Sequence, residues 1–330
     1  MNVAVVLLNY NGRRWLELFL QKVIDRSAGA SIYVIDNGSS DESLTYLNHF
    51  PHVKVVALDK NYGYAGGYNR GLKYVHEDIA VLLNTDIEPA EGWLNPLVDF
   101  LQQNSAYAAC QPKILSYHHP NYFEYAGAAG GMLDLYGIPF CRGRIFSTVE
   151  EDRGQYDEVT DIFWASGGAL CIRLADFFAA GGFDDNFIAH QEEIDLCWRL
   201  QRMGKKIAYV PQSVIYHVGG GTLAYDSPRK IYLNIRNNRL MLWKNLPSSY
   251  RKKVFRVRLF LDYMIFSQYL LQGKFSHAWQ VLKALRDARR ERKKYSVVSV
   301  ESLPEMIFKK SIVWWYFVKR KKFYSQLPQC

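Results

Sequence analysis

"IAVLLNTDIEP" (79–89) decides how this chain folds. Five apolar residues run directly into Asn84, Thr85 and Asp86, a polar triplet that ends in a carboxylate. An apolar run closed by a turn is the pattern of a strand covered on both faces, as in a parallel sheet. In open α/β sheets ligands gather just beyond the carboxyl ends of such strands. Asp86 therefore stands where a ligand or a metal would sit. A helix cap or turn is the commoner job for one aspartate in isolation, so the rest of the chain has to decide.

Outward from this stretch, strand and helix patterns alternate about every 25 residues. "VAVVLL" (3–8), "SIYVID" (31–36) and "VKVVAL" (53–58) read as strands. "RRWLELFLQKVI" (13–24), "DESLTYLNHF" (41–50) and "GYNRGLKYVHE" (67–77) read as helices between them. The spacing predicts a parallel sheet with right-handed crossovers. NYNG, DNGSSD and NTDIEP then fall side by side along one edge. Residues 116–160 are irregular and rich in Tyr, Gly and charge, and read as a long excursion. "GGALCI" (167–172) reads as a further strand, "QEEIDLCWRLQRMG" (191–204) as a helix and "KIAYV" (206–210) as a last short strand ending at Pro211.

A chain of 330 residues, 49% hydrophobic, is folded and holds one large core or two unequal domains. Five scattered cysteines without a CxxC argue against a disulfide framework or a structural zinc site, and fit a reducing cytosol. The N-terminal residues do not read as a signal peptide. The net charge of +9 is uneven: residues 1–246 carry −5 and residues 247–330 carry +14.

Three clusters could carry chemistry. Asp36 ends a strand in "IDNGSSDES", where a carboxylate can accept from a base N–H or a ribose hydroxyl; an Asx-turn before a capped helix is the alternative. "NYGYAGGYNRG" (61–71) fits neither GxGxxG nor a P-loop. Its small residues around Asn61, Gly63 and Asn69 still allow close approach to a phosphate or sugar. Glu192, Glu193 and Asp195 crowd a helix start, where acidic groups favour the macrodipole. His217 follows in a Gly-flanked stretch.

Taken in order, "VVLLNYNG", "IDNGSSDES", "NYGYAGGYNRGL", "LLNTDIEP", "GGFDDNFIAHQEEIDLCWRLQRMGKKIAYVP" and "YHVGGGT" resemble the family 2 glycosyltransferases, in their bacterial rhamnosyltransferase-like branch. The resemblance covers roughly residues 1–245. It implies an α/β fold of GT-A type, a Rossmann-like, mostly parallel sheet flanked by helices, over residues 1–246, with a nucleotide-binding half to about 115 and an acceptor-binding half from 116. By the same resemblance Leu8, Tyr10, Asp36 and Thr85, with Asn61, Gly63 and Asn69, contact a nucleotide-sugar donor. Asp86 closes a DXD-like triplet and, with His217, holds Mg2+ or Mn2+; Asn84 replaces the first Asp. In place of the family's Glu-Asp pair stands Glu192-Glu193, which makes Glu193 the expected base with Glu192 its rival. Trp164, Gly167 and Gly168 lie on the acceptor side.

The implied reaction is metal-dependent, inverting sugar transfer to a saccharide hydroxyl, lipid-linked or a polysaccharide precursor, in cell-envelope synthesis. A scaffold on a degenerate fold and a sugar-nucleotide nucleotidyltransferase are the alternatives. Residues 247–330 form a basic, aromatic helical extension outside the resemblance. Its segments from 251 to 324 suit an anionic membrane surface or a subunit interface, without a nucleic-acid motif. The expected location is the cytoplasm, peripheral on the cytosolic membrane face.

Overall fold

The computed structural model describes residues 1–219, 227–296 and 302–328. Its main sheet uses β1 (Val3–Asn9), β2 (Ser31–Asp36), β3 (Lys54–Ala57), β4 (Ile79–Asn84), β5 (Ile87–Pro89) and β6 (Tyr107–Ser116). A smaller sheet follows in β7 (Gly131–Asp134), β8 (Pro139–Cys141), β9 (Arg144–Ile145) and β10 (Thr148–Val149). The chain then returns to the main sheet as β11 (Thr160–Asp161), β12 (Ala169–Arg173) and β13 (Lys206–His217). The spatial order is β11-β13-β6-β12-β4-β1-β2-β3, with β5 on β13. The half β4-β1-β2-β3 is parallel, as expected. Beyond it the sheet is mixed, because β12 runs antiparallel between β4 and β6.

Helices α1 (Arg13–Asp25), α2 (Ser43–Leu47), α3 (Gly63–Gly71), α4 (Leu94–Gln103), α5 (Leu174–Ala179) and α6 (Glu192–Arg202) flank the sheet. Alternate residues of β1 sort to its two faces. Ala4 and Val6 join Ala65 and Tyr68 of α3 in one core, while Val3, Val5 and Leu7 join Leu16 of α1 and Leu97 of α4 in the other. The four cysteines among the described residues, Cys110, Cys141, Cys171 and Cys197, are free and buried.

Helix α3 starts four residues before the sequence pattern placed it and ends at Gly71, where a 3-10 turn takes over. Its glycines have a packing reason. A Cβ at Gly71 would lie 2.2 Å from Ile35 Cδ1, and one at Gly67 2.8 Å from Leu8 Cδ1. The helix rests directly on β1 and β2, which is why the segment is so rich in small residues.

Strand β13 also departs from expectation. It does not stop at Pro211 but continues to His217, with a register irregularity between Val210 and Val214. Proline lacks the donor that a ladder needs, and a bulge is where a sheet tolerates it.

The C-terminal region opens with α7 (Pro228–Asn245), α8 (Ser248–Leu271) and α9 (Phe275–Glu291). Helix α7 ties the other two to the body through Arg239–Asp262 (2.7 Å), Tyr232–Asp287 (3.0 Å) and Arg236–Glu291. Beyond them, β14 (Ile307–Phe308) pairs in parallel with β7, so the tail completes the small sheet of the irregular excursion. Tyr316 is buried there and its hydroxyl meets Thr148 Oγ1 at 2.8 Å. Of the aromatic cluster 314–317, Tyr316 is therefore core with Trp315 packed beside it, while Trp314 and Phe317 are exposed. No helix among the described residues is long and apolar enough to cross a membrane.

The α3 contact is testable. Alanine normally favours a helix over glycine by roughly 1 kcal/mol, but here the methyl would overpack against Ile35. Gly71→Ala is expected to lower stability by about 1–3 kcal/mol, read as a smaller urea midpoint with an unchanged slope.

Candidate active site

Three strand ends form the floor of the site. In-register pairing sets Asn9 beside Asp36 and Leu8 beside Asn84. Asp36 is buried and accepts from Asn9 Nδ2 at 3.0 Å and the Ser39 N–H at 2.9 Å. Leu8 is half-buried beneath Gly67, Tyr10 is exposed, and Thr85 lies half-buried opposite Gly12. Asn37, which the sequence reading passed over, holds the next segment. Its Nδ2 donates to Asn61 Oδ1 (3.1 Å) and the Gly63 carbonyl (2.9 Å), and its Oδ1 accepts from the Tyr62 N–H (3.0 Å).

Asp86 and His217, 131 residues apart, meet because β5 pairs with the end of β13 and sets His217 opposite Ile87. His217 Nε2 is 3.2 Å from Asp86 Oδ1, and the Asp86 carbonyl accepts the Val218 N–H at 3.0 Å. On its other side His217 Nδ1 is 3.4 Å from Glu124 Oε2. Burial opposes charging of this imidazole, but the Asp86 and Glu124 carboxylates outweigh it and push its pKa up to about 10. Glu124 lies in the irregular excursion, where no motif marks it. Protonated, the His217 ring donates to both carboxylates and cannot ligate. A divalent cation held by Asp86 and His217 would need Nε2 deprotonated, with Nδ1–H left donating to Glu124, and would take its remaining ligands from phosphate and water. The described residues contain no three-residue His/Cys/Asp/Glu group poised to hold an ion alone.

A second wall is the loop leading into α6, which packs on the start of α3, where the Ala65 N–H donates to the Ile188 carbonyl at 3.1 Å. Ile188, His190 and Gln191 all have left-handed backbone, with φ of 66°, 70° and 73°. Non-glycine residues hold that conformation only when their surroundings impose it. Helix α7 does so. The fully buried Asn237 donates to the carbonyls of Phe187 (2.8 Å), Ala189 (2.9 Å) and His190 (2.9 Å). Arg236 donates to the Asn186 carbonyl at 2.8 Å, and Asn238 to Gln191 Oε1 at 3.1 Å. Gly63, at φ +74°, packs so closely that a Cβ would lie 2.8 Å from the Ile188 carbonyl oxygen.

This loop presents Glu192 and Glu193. Glu192 is buried, Glu193 keeps partial exposure, and Oε2 of each is shut off from solvent without a hydrogen-bond partner. Burial raises both carboxyls: Glu192 well above its ordinary range, helped by Glu193 and Asp195, and Glu193 to about 7. Burial likewise pulls His190 down to about 4, aided by Lys230. Asp195 differs. Burial opposes its charge, but Arg199 and Lys244, each at 2.9 Å, and Asn245 at 2.8 Å hold its carboxyl below the usual range. Of three acids at one helix start, Asp195 is paired with cations, while Glu192 and Glu193 each keep an unpartnered oxygen.

Tyr64 joins the walls. Its hydroxyl donates to the Gly167 carbonyl at 2.5 Å, and the Gly168 carbonyl accepts the Asn84 N–H at 2.9 Å. The electrostatic influence of Glu192 and Glu193 reaches Tyr64, whose pKa burial first of all raises. Gly167 is thus held by Tyr64, and Gly168 by the strand end that leads to Asp86. Two expected contacts fall elsewhere. Trp164 is a core side chain: it is buried, its Nε1–H donates to the Met132 carbonyl at 2.9 Å, and its ring covers Gly131. Asn69 spends its amide on the Phe183 backbone (2.8 and 2.9 Å) and on Asp185 (2.5 Å), anchoring the loop before α6.

The raised pair has a stability signature. Protonated carboxyls suit this site, so the pair stabilises the fold fully below the unfolded pKa near 4.5, and that contribution is lost as pH rises through about 7. Glu193→Gln is expected to flatten the decline across that window, by at most about 3 kcal/mol at its upper end; urea midpoints at pH 4.5, 6 and 8 measure it.

Residues 4–154 match the family model Glycosyl transferase family 2. An N-acetylglucosaminyl-diphospho-decaprenol L-rhamnosyltransferase of Mycobacterium tuberculosis is 26% identical over 235 residues, covering 65% of this chain and 75% of that protein. Among solved structures, GalNAc-T7 with UDP, GalNAc and Mn2+ superimposes with a TM-score of 0.58 at 18% identity, over 96% of this chain but only 56% of that one. Staphylococcus aureus TarS 1–349 with UDP-GlcNAc gives 0.58 at 15% identity, over 87% and 80%. The fold is GT-A. With the strand-end carboxylates and the glutamate pair, these likenesses support a family 2 glycosyltransferase, the family match itself covering residues 4–154.

Proposed function

We propose that the protein transfers a hexosyl or deoxyhexosyl group from a nucleotide-diphosphate sugar to a saccharide hydroxyl, with inversion at the anomeric carbon. The observation that carries this reading is the glutamate pair: two carboxyls with raised pKa and one unpartnered oxygen each, behind a loop that packs on Gly63 beside the strand-end floor. A base for an alcohol works best with a pKa near the working pH, which suits Glu193; Glu192 is the alternative.

Asp36, at the floor, would bind the base or ribose, with Leu8, Tyr10 and Thr85 around it. Asn61 and Gly63 line the same side. Asp86 and His217 would hold Mg2+ or Mn2+, which neutralises charge on a leaving diphosphate. Glu124, facing the other nitrogen of His217, orients the imidazole. During transfer Glu193 takes the proton of the acceptor hydroxyl as its oxygen bonds to the anomeric carbon and the bond to the diphosphate breaks. One base and no nucleophile give inversion. Residues 1–115 serve as the donor half and 116–246 as the acceptor half, with Gly167 and Gly168 beside the incoming sugar.

The acceptor is a lipid-linked or polysaccharide-precursor saccharide, met on the cytosolic face of a membrane. Support for this comes from the rhamnosyltransferase relative, whose name specifies a diphospho-decaprenol substrate.

Donor binding and turnover with Mn2+ and with EDTA test the reading. Asp86→Ala is expected to lose both. Glu193→Gln should keep donor affinity and lose roughly 10²–10⁴ in kcat; unchanged turnover would move the base to Glu192, and no cation-dependent turnover in the wild type would favour a binding protein. Asn237→Ala tests the loop clamp. With three buried carbonyls deprived of their donor, stability should fall by about 1–3 kcal/mol, and kcat should fall while donor affinity holds.

A further inference from the structure

We propose that the outward faces of α8 and α9 dock on an anionic phospholipid bilayer. The inference deepens the reading above, in which the acceptor sugar is carried on a lipid, and it rests on the hairpin itself.

Helix α8 is apolar on two sides. Its inner side supplies Ile265, Phe266 and Tyr269 to a core with Ile235 of α7 and Val281 and Ala284 of α9. Its outer side and the adjoining turn leave Phe260 (65% exposed), Met264 (53%) and Leu271 (90%) uncovered, and α9 adds Phe275 (70%) and Trp279 (61%). The α8 positions recur at helical spacing, with Tyr263 between them, so they form one stripe that runs to the hairpin tip at Gly273. An apolar stripe on the side of a helix that faces away from its core is left for protein or lipid to cover, and apolar patches of this kind on a soluble surface mark an interaction site.

Charge identifies the occupant. From Ser248 to Arg286 the chain carries eight Lys and Arg but a single acid, Asp262. That acid is fully buried and neutralised by Arg239 (2.7 Å) and Arg258 (3.2 Å). The exposed hairpin thus presents no carboxylate. Farther along α9, Asp287 is engaged by Tyr232 and Arg286, and Glu291 by Arg236. Lys252, Lys253 and Arg256 stand exposed at the body end of the stripe, and Lys274 flanks the tip. Protein interface cores are depleted in lysine, whereas aromatic and aliphatic side chains bordered by Lys and Arg suit the headgroup boundary of an anionic membrane.

The structure also moves this contact away from the aromatic run 314–317, where Trp315 and Tyr316 are committed to packing against the small sheet. Through Arg239–Asp262 and the Asn237 clamp, one helix, α7, joins the docking hairpin to the loop that carries the glutamate pair.

Flotation of the full chain with vesicles tests this, in equal parts phosphatidylglycerol and phosphatidylcholine or in phosphatidylcholine alone, without donor or cation. The wild type is expected to float with the anionic vesicles. Binding should be at least about tenfold weaker to neutral vesicles, for the exposed-residue variant F260S/L271S/W279S, and for K252E/K253E/R256E, all with unchanged circular dichroism and Tm. No flotation of the wild type, or undiminished flotation of the first variant, overturns the proposal. A wild-type dimer that becomes monomeric in that variant, with vesicle binding unchanged, assigns the stripe to a second copy and also overturns it. Because the assay holds no donor, failure of the transfer chemistry leaves its result unaffected, and failed flotation leaves the transfer chemistry intact.

Discussion

Strand β13 hydrogen-bonds to β6 along most of its length and to β5 at its far end, after a bulge that absorbs Pro211. Side chains alternate along a strand, so a slip of one residue would turn His217 to the other face of the sheet and away from Asp86. The bulge and the short β5 together remove that freedom. The buried Asp86–His217–Glu124 row exists only in this register, and the cation site proposed here depends on it.

The second wall depends on side chains rather than on a ladder. A loop with left-handed backbone at three non-glycine positions would relax if left alone. Asn237 offsets the strain by satisfying three of its carbonyls from within the core, while Arg236 and Asn238 hold its two ends. The contrast among the acids of α6 follows from the same packing. Asp195 points into cations supplied by α6 and α7 and stays charged, whereas Glu192 and Glu193 are left in a partly dry cleft without a counter-ion.

Much of this was legible before any coordinates. The alternating runs to residue 84, except the shifted α3, became strands and helices within a few residues of their sequence bounds, because each apolar segment is sorted by a simple period and closed by a turn. The pairing of Asp36 with a neighbouring strand end follows from that topology, and the structure does bring Asp86 beside His217. Glycine-rich residues 61–71 were less transparent, since glycine for a ligand and glycine for helix–sheet contact look alike in one dimension. Trp164 and Asn69 misled for a related reason: a polar or aromatic side chain near a motif carries no mark of which way it points.

By itself, then, the sequence determined the α/β class, a parallel sheet in its first third and the basic character of the tail, which follow from local periodicity and composition, while the family resemblance singled out the glutamate pair. Tertiary structure alone decided that Glu124 faces His217, that Asn237 clamps the loop before the pair, and that the tail splits into a docked strand and an uncovered hairpin. Such contacts join residues up to about 170 positions apart, as Leu133 and Ile307 show. Long-range proximity is set by packing and register, and no local pattern encodes it.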